Sequence, residues 1–111
     1  MSGGRWDYLQ YRIREISDGI EDEIVHNNDE PTEWWSSTPW PGYNYSPEII
    51  EEFKKGRTLL RLAEMYAQRA DWLLSGDDGE DSFLKRIKKD AEDLIKTDEY
   101  GYVEKIWNSL K

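Results

Sequence analysis

Apolar residues recur at helical spacing in four stretches of this chain, and in no stretch do they alternate with polar ones as a half-buried strand requires. In the first, RWDYLQYRIREISDGIEDEIV, residues Trp6, Leu9, Ile13, Ile16, Ile20 and Ile24 succeed one another at steps of three or four, which predicts an amphipathic helix buried along that stripe. Gly19 weakens its middle by roughly 1 kcal/mol relative to Ala, and the asparagines of HNND favour a left-handed stop.

A second helix opens at Ser46-Pro47. Serine is a good N-cap, proline is preorganised for the first helical position, and Glu48 and Glu51 meet the positive end of the helix dipole. The pattern then runs unbroken to Leu74, about 42 Å at 1.5 Å per residue. Its main stripe is Phe53, Gly56, Leu60, Ala63, Ala67, Ala70 and Leu74, with small residues that let a neighbouring helix approach closely. A second stripe, Leu59, Leu62, Tyr66 and Leu73, widens the buried face. The remaining face, Arg57, Arg61, Glu64, Gln68 and Asp71, is polar and reads as solvent-facing.

The stretch SGDDGEDSF, Ser75 to Phe83, sets four carboxylates and two glycines between two helical patterns. As a calcium loop with Gly79 at its sixth position it would need an acidic or amide ligand at Leu74 and a bidentate Glu at Lys85, and it has neither. As punctuation it is well made: Gly76 suits a left-handed helix end, and Asp77, Asp78 or Asp81 can cap the next helix. That third helix is predicted from Glu80 to Lys96, burying Phe83, Leu84, Ile87, Ala91 and Leu94. A fourth, opened by Thr97-Asp98, carries Tyr100, Val103, Trp107 and Leu110. The expected fold is therefore all-α: a small helical bundle, one domain over residues 1–111, built on one long central helix.

Between the first two helices lies a connection, residues 27–45, broken by Pro31, Pro39, Pro41 and Gly42. Its aromatic residues, Trp34, Trp35, Trp40, Tyr43 and Tyr45, argue against disorder. Two readings stand. The loop wraps back over the helices and completes the core, or two or three of its rings are exposed as a binding hot spot rimmed by Glu30, Glu33 and Glu48.

Charge narrows the function classes. The net charge is −9, and Glu15 to Phe53 holds eleven acids and no Lys or Arg, leaving +2 on the remainder. Such a field repels nucleic acid and anionic membrane and attracts a basic protein surface. No apolar run approaches the length of a bilayer span, and the start, MSGGRWDYLQ, lacks a signal peptide's apolar region, so the expected address is cytoplasmic. There is no cysteine, which excludes disulfides, thiolate zinc sites and cysteine nucleophiles.

Catalytic chemistry finds no foothold. His26 is the only histidine and sits at a helix end among acids. No nucleophile elbow, P-loop or dinucleotide fingerprint occurs, and carboxylates on an open acidic face are solvated and untuned. The chain is not expected to be an enzyme, and no metal or cofactor is implied.

The segment from Leu60 to Ile87, through Tyr66-Ala67, Arg69, Asp71-Trp72, Ser75-Gly76-Asp77-Asp78-Gly79-Glu80 and Ser82-Phe83, resembles small proteins of tailed bacteriophages and prophages. The resemblance covers about a quarter of the chain and implies origin rather than activity. Small acidic phage proteins of this kind often bind host proteins, including antiviral defence components. The expectation is thus an acidic inhibitor or modulator of a host protein with a basic surface, acting in the infected bacterium. Asp18, Glu21, Asp22 and Glu23 would steer association, and Trp34, Trp35 or Trp40 would anchor it. Two alternatives remain: sequestration of a nucleotide-type ligand by the aromatic loop with Arg57, Arg61 or Arg69, and a homo-oligomeric phage assembly component joined through the small-residue stripe.

Overall fold

The computed structural model of the protein describes residue 6 and residues 8–27 and 44–110. These form four helices and no strand: α1 (Gln10–Val25), α2 (Pro47–Leu74), α3 (Glu80–Thr97) and α4 (Tyr102–Leu110). The protein is all-α and organised on α2, which packs against each of the other three; α3 also packs on α4.

The boundaries of α2 reflect local chemistry. Ser46 is the N-cap in extended conformation with Pro47 at N1, although the serine hydroxyl caps nothing. At the other end Gly76 adopts φ +83°, its N–H bonding the Leu73 carbonyl at 3.2 Å while the Asp77 N–H reaches the Trp72 carbonyl at 2.8 Å. That double closure is a Schellman stop, which needs the left-handed conformation glycine adopts freely. SGDDGEDSF is thus the punctuation between two helices. Its carboxylates do not cap α3: the N-cap is Gly79, and the Asp78 carboxylate instead accepts the Gly79 N–H at 3.0 Å and pairs with Arg86 at 3.2 Å.

The first helix starts later than its apolar pattern suggests. Tyr8 takes φ +63°, which bulky side chains disfavour, and α1 begins two residues beyond it. The resulting turn carries the Trp6 indole onto α2, where its N–H donates to the Ala67 carbonyl at 2.9 Å.

A similar shift occurs at the fourth helix. Asp98 does not open a helix that includes Tyr100; its carboxylate accepts the Tyr100 N–H at 3.1 Å and the Val103 N–H at 2.8 Å, and Gly101 turns the chain at φ +79°. Tyr100 is left in the turn, its ring directed back to the other helices.

The hydrophobic core lies between α2, α3 and α4. Leu62, Met65, Ile87, Ala91, Val103 and Trp107 are buried together, with Leu94, Ile95 and Ile106 against them. Leu84 and Leu110, expected inside, are 58% and 57% exposed.

The largest departure from the sequence pattern is the α1–α2 interface. The residues of α1 that are fully buried are Gln10 and Ser17, not its isoleucines, and they meet the face of α2 expected in solvent. Gln10 donates from Nε2 to Gln68 Oε1 at 2.7 Å and to Asp71 Oδ2 at 3.1 Å. Farther along, Arg14 pairs with Glu64 at 3.6 Å, Asp18 with Arg61 at 2.8 Å and Glu21 with Arg57 at 3.1 Å. Stepping up α1 steps down α2, so the helices are antiparallel and zipped by complementary polar rows. A buried polar face is tolerable because its charged groups pair across the seam and the Ser17 hydroxyl donates to the Arg14 carbonyl of its own helix at 2.9 Å, although Gln10 Oε1 and Arg61 Nε are left without a hydrogen bond.

Candidate protein-interaction surface

The four acids expected to steer a partner divide in two. Asp18 and Glu21 are turned onto Arg61 and Arg57 and hold α1 to α2. Glu21 also accepts the Tyr100 hydroxyl. Asp22 and Glu23 are exposed and make no ion pair among the described residues.

Their position carries a cost. The last turn of α1 contains no basic residue, and the carbonyl end of a helix dipole disfavours negative charge by about 0.3–1 kcal/mol per exposed carboxylate. Arg57 relieves Glu21, whereas Asp22 and Glu23 point their charge outward at a helix end that repels it. Val25, close by in the same turn, is 60% exposed. Carboxylates seeking a cation and an apolar side chain therefore share the end of α1.

The connection begins and ends at this place. Asn27 binds Tyr45 twice: its Nδ2 donates to the Tyr45 carbonyl at 3.2 Å, and its Oδ1 accepts the Tyr45 N–H at 3.0 Å. The Tyr45 ring packs edge-on against Phe53, centroids 5.5 Å apart. Tyr45, expected among partner-binding rings, is thus a post that fixes where the chain re-enters α2. Glu30, Glu33, Trp34, Trp35, Trp40 and Tyr43 lie outside the described residues.

A cleft of about 500 Å³ opens between α1, α2 and α3, with Tyr11, Arg14, Arg61, Met65, Arg69 and Trp72 on its walls. Its cations are matched within the protein. Arg69 holds Asp90 through two hydrogen bonds of 2.5 and 2.9 Å while stacking on Trp72 at 4.9 Å, and Lys89 pairs with Asp93 at 2.8 Å. Burial, with Arg14 and Arg57 close by, pulls the Arg61 guanidinium below its usual value. A phosphate entering this cleft would have to displace carboxylates from Arg61 or Arg69. Among the described residues no group of three or more His, Asp or Glu side chains could hold a metal ion, and no helix is long and apolar enough to cross a membrane.

Sequence reasoning missed Gln10, Asn27, Asp90 and Tyr100. A signal existed for the ion pairs: Arg14, Asp18 and Glu21 ascend α1 at steps of four and three while Glu64, Arg61 and Arg57 descend α2 at steps of three and four, with signs reversed. Gln10, Asn27 and Tyr100 carry no such signature, because single polar residues announce nothing until their partners are placed. Comparison with family models, with curated proteins and with solved structures returns no match to this chain.

Proposed function

We propose that this chain is a non-catalytic protein-binding module of phage origin, which occupies a basic surface of a host protein, such as an antiviral defence component, in the infected cell. The observation that carries the reading is the carbonyl end of α1, whose last turn holds no basic residue and where Asp22 and Glu23, without an ion pair among the described residues, stand beside exposed Val25. A Lys or Arg from a partner would relieve both the mutual repulsion of these acids and their clash with the helix dipole, so association supplies what the fold does not. The neighbouring segment adds Glu30, Glu33, Trp34, Trp35, Trp40 and Tyr43, residue types suited to anchoring such a contact. The matched arginines of the cleft leave the nucleotide alternative weaker support than the protein-binding one.

The test is capture from bacterial lysate at low and high salt with wild type and with the Asp22→Lys/Glu23→Lys double variant, and then kinetics on the purified partner. A specific host protein held at low salt, whose association rate falls about tenfold or more on charge reversal, supports the proposal. Capture that ignores both salt and the double variant would sink it.

A further inference from the structure

The polar rows that join α1 to α2 leave apolar residues of both helices turned outward, on the side opposite α3 and α4. On α2 these are Leu59, Leu60, Ala63, Ala67, Ala70 and Leu74. At 100° per residue they lie on one face, roughly opposite the buried Met65 that meets the core. On α1 the same outward side carries Leu9, Ile13, Ile16 and Ile20. Leu9 is 63% exposed, Ile16 56%, Leu59 53% and Leu74 51%. A Cβ built on Gly56 meets nothing within 4 Å, so this end of the face is open as well.

We propose that this face is the dimer interface: two copies of the chain pack their α1–α2 hairpins together, related by a two-fold axis, into a four-helix bundle. Several observations point to a second copy rather than to a charged partner. From Gly56 to Leu74 the outward face of α2 carries no charge, although the chain is −9 overall; like molecules can meet there without opposing carboxylates. The face repeats every seven residues, as Gly56, Ala63 and Ala70 and again as Leu60, Ala67 and Leu74, the period of paired helices. It is also self-complementary in size. An antiparallel two-fold midway between Ala63 and Ala67 sets Gly56 of one copy against Leu74 of the other, and Ala70 against Leu60.

The area is sufficient. At roughly 200 Å² per fully exposed large side chain, the four residues above offer about 450 Å² per copy. Burying that on both copies gives about 900 Å², which the half-buried Ile13, Ile20 and Leu60 carry past about 1,000 Å², the threshold of a specific interface. The shape agrees: the radius of gyration is 17.3 Å and the thinnest extent 17 Å, against about 13 Å for the radius of a compact chain of 100 residues. A thin plate with one apolar side is half of a two-layer structure.

The experiment is sedimentation velocity on the full chain over a wide concentration range, for wild type, Leu59→Lys, Ala63→Lys and the Asp22→Lys/Glu23→Lys double variant, with helicity checked by circular dichroism. Wild type is expected to form a dimer that high salt does not weaken. Each lysine on the face should raise the dissociation constant at least about tenfold, with the double variant behaving as wild type. A wild-type chain that stays monomeric, or a dimer indifferent to both lysines, overturns the proposal. Because the chain has no cysteine, Ala63→Cys supplies an arm that leaves the fold undisturbed. Cross-linking of two copies by a short bifunctional thiol reagent supports the interface, whereas a thiol shielded in the monomer means residues 28–43 cover the face and overturns it. This outcome is independent of host capture, which reads the end of α1.

Discussion

The Tyr100 hydroxyl donates to both carboxylate oxygens of Glu21, at 2.9 and 2.8 Å, tying the turn between α3 and α4 to α1. Above the same ring stand the Lys54 ammonium, 5.2 Å from its centre, and the Arg57 guanidinium at 5.0 Å. Burial first, then the hydrogen bond to Glu21, pushes the phenol up to about 12. A pKa raised on folding means that the neutral phenol stabilises the native state in full below pH 10, the unfolded value, and that this contribution is lost as pH rises through about 12. Tyr100→Phe should cost about 1.5 kcal/mol near neutrality and show a smaller loss of stability between pH 10 and 12 than wild type. Urea unfolding across that range measures both, and an unchanged alkaline profile would refute the assignment.

Arg69 and Asp90 form a paired, planar contact between α2 and α3, with side chains 16% and 26% exposed. Asp90→Ala strands a partly buried guanidinium and is expected to cost about 2 kcal/mol. In a double-mutant cycle with Arg69→Ala the coupling should reach about 1 kcal/mol or more, because the geometry is bidentate. A coupling indistinguishable from zero would mean the two residues stabilise the fold separately.

Two glycines should respond in opposite directions to the same substitution. A Cβ at either Gly19 or Gly76 meets nothing within 4 Å, so packing is equal and backbone conformation decides. Gly76 lies at φ +83°, and Gly76→Ala is expected to destabilise by about 1 kcal/mol. Gly19 is in the interior of α1, where Gly19→Ala should stabilise by about 0.5–1 kcal/mol. Thermal midpoints that move in the same direction would contradict this assignment of roles.

Gln10 is 3% exposed and is the amide that bridges Gln68 and Asp71. Replacing it by alanine should cost about 1–3 kcal/mol, because the oxygens it serves stay partly buried. Hydrogen exchange should show α1 loosened before the α2–α3–α4 core. Equal loosening of both would show that the seam and the core unfold as one unit.

How much of this fold was legible in the chain depends on whether a signal is local or paired. Ser46-Pro47 and Ser75-Gly76 are local: each dictates its own backbone, and α2 begins and ends where they say. The apolar rows of α1 and α2 were also legible as rows. What could not be read from them was their direction, since hydrophobicity states that a side chain avoids water but not which neighbour relieves it. Gln10, Ser17, Thr58 and Asp71 are all buried, although polar residues default to the surface when considered singly. Gln10 and Asp71 are held inside by complementarity across the antiparallel register, and the Ser17 and Thr58 hydroxyls by the Arg14 and Lys54 carbonyls of their own helices, while Ile16 and Leu59 stay outside. Within the candidate surface, Asp22 and Glu23 are exposed, while Asp18 and Glu21 are claimed by arginines that lie forty-three and thirty-six positions away.

The paired bonds between Asn27 and Tyr45 make the stretch between them a cassette. Both ends are fixed at one point, so the span that the stretch must close is set by Asn27 and Tyr45 and not by its length. Doubling the length of the insert would add only about 0.6 kcal/mol of closure entropy. A closure bonded at its two ends in this way makes the stretch between Asn27 and Tyr45 a natural place to insert a longer peptide, with α1 and α2 held together by their own ion pairs.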